Sequence, residues 1–173
     1  MLKKFKADAY YDKIINVPAS EYRKLNYKLA IFDFDNTIAR HGSRTSNSYA
    51  IDVIDKWQSA GFEVHIISNA KQERADELGR NLPINIIGDA GKPGTKAFSQ
   101  LLSGREIQKN EVIYCGDQLF TDVLAANNFG VKVVLVDPLE KDEPYYIKLK
   151  RFLEVIIKAF TRQRKHFDYI INK

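Results

Sequence analysis

The stretch Leu29-Ala30-Ile31-Phe32-Asp33-Phe34-Asp35-Asn36-Thr37 decides the fold. Its first four residues are uninterruptedly apolar, the pattern of a strand covered on both faces, and the chain turns polar immediately afterwards. Two carboxylates spaced by two leave that strand end from one backbone, so they can take different chemical roles. A carboxylate pair at the buried end of an apolar strand needs partners for its charge. Those partners have to come from elsewhere in the chain.

Working outward, the same alternation of strand and helix repeats. Residues 36–48 carry no apolar periodicity. Ser46 or Asn47 then caps a helix whose apolar positions Tyr49, Val53, Ile54 and Trp57 recur at helical spacing until Gly61. Glu63 to Ile67 reads as a second strand, 71–80 as a helix, Ile84 to Ile87 as a third apolar run and about 95–103 as a helix. Val112 to Cys115 gives a fourth strand and 120–128 a helix, and Val131 to Val136 gives a fifth strand that Pro138 stops. Strands alternating with helices indicate βαβ units, and the apolar strands indicate a parallel sheet. The expectation is a doubly wound, Rossmann-like α/β fold with five parallel strands. A leader over 1–28 with a helical turn at Pro18-Ala19-Ser20 precedes the core over 29–140, and a tail follows over 141–173.

With 173 residues the chain is long enough to bury a real core as one compact unit. The single cysteine, Cys115, has no intramolecular partner and lies in an apolar strand, so it reads as a core residue. No apolar run near the N-terminus has the length of a signal or membrane-spanning segment, and a reducing, cytoplasmic compartment is expected. The net charge of +5 sits at one end: residues 141–173 hold nine Lys and Arg against four Asp and Glu, and the rest of the chain balances. That asymmetry points to partners carrying phosphate or anionic lipid.

In doubly wound sheets ligands bind beyond the carboxyl ends of the strands. Strand one ends in Asp33 and Asp35, strand two in Ser68-Asn69 with donors for an anion, and strand three is followed by Lys92, with Lys96 nearby. Strand four ends in Gly116-Asp117, with Asp122 a turn later. Carboxylates, a hydroxyl and a lysine at one sheet edge suit phosphoryl transfer with Mg²⁺, a hard cation held by one or two carboxylates and the substrate phosphate. One carboxylate of the first pair can attack phosphorus while the other donates a proton to the leaving oxygen and later takes one from water. His41, His65 and His166 have no ligand spacing among them and read as structural.

Asp33-x-Asp35-x-Thr37, Ser68, Lys92-Pro93 and Gly116-Asp117-x-x-x-x-Asp122, each after a predicted strand, resemble the four motifs of the haloacid-dehalogenase-like (HAD) phosphohydrolases. The resemblance implies Asp33 as nucleophile and Asp35 as general acid/base. It implies phosphate binding at Thr37, Ser68 and Lys92, and a Mg²⁺ held by Asp33, the main-chain carbonyl of Asp35 and Asp117, while Asn69 reads equally as an amide donor to phosphate or as a turn former. Asp122 would orient the lysine or the metal's water shell. Phe32 to Thr37 and Gly116 to Asn127 are similar to the YqeG-like branch, which is related to phosphatidylglycerophosphate phosphatases. Where that branch carries an apolar residue and then Pro-Trp after Thr37, this chain has Ile38-Ala39-Arg40-His41-Gly42-Ser43-Arg44, on the loop that would touch the leaving group.

The connections after the first strands are too short for a cap domain, so an open site is expected. From Pro144 to Arg164 apolar residues recur at helical spacing with Lys148, Lys150, Arg151, Lys158 and Arg162 between them. Such a basic amphipathic helix packs on protein, on the sheet or a second copy, or lies peripherally on an anionic membrane. Open site, tail and resemblance together favour a phospholipid head group, phosphatidylglycerophosphate, as substrate. A soluble sugar or nucleotide phosphate and a phosphate-sensing binding module are the alternatives. Nucleic acid is disfavoured because the basic residues lack interleaved aromatics.

Overall fold

The computed structural model describes residues 2–45, 47–80, 82 and 84–166. In chain order the strands are β1 (Ala9–Tyr11), β2 (Leu29–Phe32), β3 (Glu63–Ile67), β4 (Ile86–Ile87), β5 (Val112–Gly116) and β6 (Lys132–Val136). The helices are α1 (Ala19–Lys24), α2 (Ser48–Ser59), α3 (Gln72–Gly79), α4 (Lys96–Leu102), α5 (Leu124–Phe129) and α6 (Tyr145–Phe160). The sheet runs β1-β6-β5-β2-β3-β4 with every pairing parallel.

The sheet therefore has six strands, not five. The sixth, β1, comes from the leader and pairs at the edge with β6, Ala9 opposite Val134. Three residues containing two tyrosines carry no apolar run, so nothing local marks them as a strand. The open edge of β6 recruits them: Asp8 N–H donates to the Val133 carbonyl at 2.9 Å, and the Asp8 carboxylate accepts Val133 N–H at 2.9 Å. The expected third apolar run shortens to β4. The expected helix at 120–128 begins with a π-helical turn, Leu119–Val123, before α5. Of the two candidate caps of α2, Asn47 accepts Ala50 N–H at 2.9 Å, and Ser46 lies outside the described residues.

Alternation along the strands divides the core into two layers. Ala30, Phe32, Ile113, Cys115 and Val134 pack under Trp57, Val53 and Ile54 of α2. Leu29, Ile31, Tyr114, Val133 and Leu135 pack under Phe98 and Leu101 of α4 and Ala125 and Phe129 of α5. Gly130, with φ +86°, supplies the left-handed residue that ends α5. Central β2 has β3 on one side and β5 on the other, so the chain reverses direction across the sheet between β2 and β5. This is the switch point, and Asp33 and Asp117 stand immediately beyond it.

The C-terminal helix does not lay its apolar stripe on the sheet. Ile147 and Glu154 are buried, whereas Tyr145, Leu149, Phe152, Leu153, Ile156 and Phe160 are exposed. The inward face is polar: Glu154 accepts Leu119 N–H at 2.7 Å, and Lys158 lies 4.7 Å from the Tyr10 ring centroid. Among the described residues no helix is long and apolar enough to cross a membrane.

Candidate active site

Asp33 is held at the end of β2 by its N–H bond to the Cys115 carbonyl of β5, 2.8 Å. One carboxylate oxygen accepts the Lys92 ammonium at 2.5 Å, and the other accepts the Thr37 hydroxyl at 3.2 Å. Lys92 is buried and also donates to Asp122 Oδ1 at 2.7 Å and Tyr114 Oη at 2.8 Å. Asp122 gives its remaining oxygen to Gln118 N–H at 3.0 Å. Lys96, the alternative lysine, is exposed on α4 and does not line the cleft.

Gly116 is required by this packing. A Cβ there would meet Asp122 Cβ and Cγ at 2.6 Å, so the carboxylate that carries Lys92 fits only over a residue without a side chain.

Asp33, Asp117 and Asp122 form a buried cluster with carboxylate oxygens within 4.8 Å of one another. Burial pushes Asp33 up to about 7 against the pull of Lys92, with Asp122 and Asp35 adding to the rise. Burial likewise pushes Asp117 well above the carboxylate range, opposed by Arg151 and reinforced by Asp122 and Asp33. These carboxylates are thus undercompensated by the cations beside them, and hard oxygen donors short of positive charge fit a divalent cation such as Mg²⁺.

Asp35 lies in a different environment. Burial alone would raise it, but Arg74 donates to both of its oxygens, at 2.8 and 2.7 Å, and Gly42 N–H donates at 2.8 Å. Together they hold its carboxyl below the usual range. His41 Nδ1 is 3.7 Å away. The loop that departs from the YqeG-like pattern thus wraps Asp35, and Arg74 Nε pins it by donating to the Ser43 carbonyl at 2.8 Å.

Ser68 accepts Ala70 N–H at 3.1 Å, which leaves its hydroxyl hydrogen to donate. Asn69 binds the Lys92 main chain reciprocally, accepting its N–H at 2.7 Å and donating to its carbonyl at 3.1 Å. The amide expected to meet phosphate therefore fixes the lysine loop. Asp33, Asp35, Ser68, Asn69 and Lys92 line one cleft of about 250 Å³, together with Arg74, Thr121 and, from α6, Tyr146, Ile147 and Lys150. Thr37, Asp117 and Asp122 stand behind it, buried.

Arg151 is the residue that sequence reasoning missed most completely. From α6 its guanidinium donates to the Asp117 carbonyl at 2.7 Å, to the Asp117 carboxylate, to Glu143 at 2.7 and 3.0 Å and to Glu154 at 3.2 Å. It occupies one oxygen of Asp117, while the other lies 3.4 Å from Thr37 Oγ1, on the Asp33 side. Glu143 in turn accepts the Asn36 amide at 2.7 Å, so the tail is tied to the loops after both β2 and β5. The available signal was an Arg and a Glu three apart on the helix face opposite the apolar stripe.

A doubly wound parallel sheet with carboxylates and a lysine gathered at its switch point is similar to the arrangement of the HAD-like hydrolases. The HAD-hydrolase-like family matches residues 89–138, the segment that carries Lys92, Asp117 and Asp122. The chain is similar to HAD-family phosphatases of the YqeG-like branch: it is 29% identical to the probable phosphatase YqeG of Bacillus subtilis over 98% of this chain and 99% of that one. It is 23% identical over 82% of its length to phosphatidylglycerophosphate phosphatase 1 of Arabidopsis thaliana, and spans 44% of that longer protein. An uncharacterized protein from Listeria monocytogenes serotype 4b shares the fold, with a TM-score of 0.53 at 17% identity, covering 76% of this chain and 99% of that one.

Proposed function

We propose that the protein is a Mg²⁺-dependent phosphomonoesterase that works through an aspartyl phosphate on Asp33 and acts on phosphatidylglycerophosphate. The observation that carries the reaction is the position of Lys92, shared between Asp33 and Asp122 at the mouth of a buried carboxylate cluster. This arrangement puts a nucleophile and a fixed positive charge at one point, as phosphoryl transfer requires.

In the first step an Asp33 carboxylate oxygen bonds to phosphorus and the phosphorus–oxygen ester bond breaks. The departing oxygen takes its proton from Asp35. Water then attacks the same phosphorus, its proton passes to Asp35, and the Asp33–phosphorus bond breaks to release inorganic phosphate. Lys92 and the Ser68 hydroxyl hold the phosphate oxygens. Asp33, the Asp35 carbonyl and Asp117 would hold Mg²⁺, which supplies charge neutralisation for the transferred group when bound. Arg74 keeps Asp35 as a carboxylate, the form that accepts the proton of water. An incoming phosphate competes for the guanidinium, and its partial release of Asp35 lets that residue be protonated and act as an acid.

The lipid substrate is supported by the plant relative and by the uncapped cleft, whose rim includes Tyr146, Ile147 and Lys150 of α6. Assaying the purified protein with Mg²⁺ against phosphatidylglycerophosphate in mixed micelles, beside soluble sugar and nucleotide phosphates, tests both levels. Preference for the lipid is expected. Hydrolysis of soluble esters alone would overturn the substrate, and hydrolysis of none would overturn the activity.

A further inference from the structure

We propose that the outward face of α6, with the lysines around its two ends, is a docking surface for an anionic lipid bilayer. The inference rests on the reading of the cleft as a lipid phosphomonoesterase, and it names the surface from which that substrate would arrive.

Eleven large apolar side chains are exposed among the described residues, and eight of them lie on α6. Tyr145, Leu149, Phe152, Leu153, Ile156 and Phe160 recur at spacings of three and four, so they share one face. Phe152 is 65% exposed while Glu154, two residues on, is 1% exposed. The helix is inside out because its polar face is fixed by ion pairs that the site itself uses. Arg151 grips Asp117 and Glu143, and Glu154 caps the Leu119 N–H. Rolling the apolar stripe inward would break all of these contacts, so the outward stripe is a fixed property of the fold.

Charge selects the occupant. Lys148 and Lys150 flank the stripe near its start, and Arg162 and Arg164 follow its end, all exposed. Tertiary folding adds basic residues from the other terminus, since Leu2, Lys3 and Lys6 line one groove with Phe160 and Thr161. Each cation near an anionic leaflet strengthens binding about fivefold. A second copy of the chain would set like charges against one another across the same seam, which disfavours self-association. The stripe also adjoins the cleft, whose rim includes Tyr146 and Ile147 from the same helix. A bilayer on this face would lie beside the mouth of the site, and the short uncapped loops would not obstruct a head group leaving the membrane plane.

The test is flotation of the full-length protein with phosphatidylcholine vesicles, with and without added phosphatidylglycerol, combined with sedimentation velocity. Wild type is expected to float only with the anionic vesicles and to be released as salt rises from about 0.1 M to about 1 M. Phe152→Ser with Ile156→Ser should reduce vesicle binding at least about tenfold without changing turnover of a small soluble phosphomonoester. Lys3→Glu with Lys6→Glu should reduce it several-fold, again with soluble turnover intact. Equal binding to neutral vesicles, or none to anionic ones at low salt, overturns the proposal. So does a wild-type dimer that the Phe152 and Ile156 changes dissociate, since the stripe would then be an interface between copies. If vesicles are bound but no phosphoester is hydrolysed, docking stands and the enzymatic reading fails. If lipid is hydrolysed without vesicle binding, docking fails and the enzymatic reading stands.

Discussion

At the rim of the sheet Asp33, Lys92, Asp117 and Asp122 lie almost wholly out of water, while on α6 Tyr145, Phe152 and Phe160 lie mostly in it. Elsewhere the chain follows the ordinary partition, with Ile31, Phe32, Trp57 and Tyr114 buried. Burying an ion costs several kcal/mol unless partners surround it, which is why each rim carboxylate touches Lys92, Arg151, Thr37 or a main-chain N–H. Leaving apolar surface in water forgoes about 25 cal/mol per Å². Both departures weaken the isolated fold. Arg151 joins them, because the contacts that stabilise the buried carboxylates are the same ones that turn the helix outward.

The comparison breaks most completely at Asp33. Asp33→Asn keeps the shape and removes the charge of the proposed nucleophile, so turnover should fall on the order of 10³-fold or more while circular dichroism is unchanged. Retained activity would leave the buried rim without a catalytic purpose.

Arg151→Ala separates the two regions directly. It strands Asp117, Glu143 and Glu154, and is expected to cost about 3 kcal/mol in urea unfolding. It should also weaken Mn²⁺ binding, read by electron paramagnetic resonance without substrate, because Asp117 loses the group that fixes its orientation. Arg151→Lys should restore part of the stability but little of the metal affinity, since one ammonium cannot span these partners. Unaltered metal binding in both variants would make Arg151 a purely structural tie.

A smaller perturbation is Gly116→Ala. The added methyl must displace Asp122, at an expected cost of about 1–3 kcal/mol, and should lower kcat more than it raises KM because Lys92 moves with its carboxylate. Arg74→Ala acts on protonation. Arg74 holds the Asp35 carboxyl down, so removing it raises that group. In the proposed mechanism the step that needs protonated Asp35 then extends to higher pH, and the step that needs its carboxylate begins at higher pH. The pH profile of kcat/KM on a soluble ester should show the corresponding limb moving upward, and superimposable profiles would dismiss Arg74.

The smallest effect sharpens the contrast between the faces of α6. Phe152→Ser, on the outer face, should change stability by no more than about 0.5 kcal/mol. Ile147→Ser, on the inner face of the same helix, should cost about 2–3 kcal/mol in the same unfolding experiment.

The central strands, their order of appearance and the rim residues were legible because each depends on local pattern. β2 and β5 are apolar runs followed at once by polar residues, and that transition marks both the strand end and the place where chemistry collects. Lys92 could be named from its motif. That it, and not Lys96, reaches Asp33 depends on the loop that Asn69 pins. The edge strand β1 was not legible, because three residues with two tyrosines acquire their conformation from β6 and not from their own sequence.

Sequence alone determined the parallel α/β class, the switch-point carboxylates and the amphipathic character of the tail, all consequences of side-chain period and of what must follow a buried strand. Only the tertiary structure decided which way the tail faces. Periodicity gives a helix two faces without saying which one is inside. That choice belongs to Asp117 and the Leu119 N–H, which the fold brings against α6, and to Glu143 just before the helix. Their demand for Arg151 and Glu154 outweighs the gain from burying Phe152 and Ile156, since an unpaired charge in the interior costs more than an apolar side chain left in water.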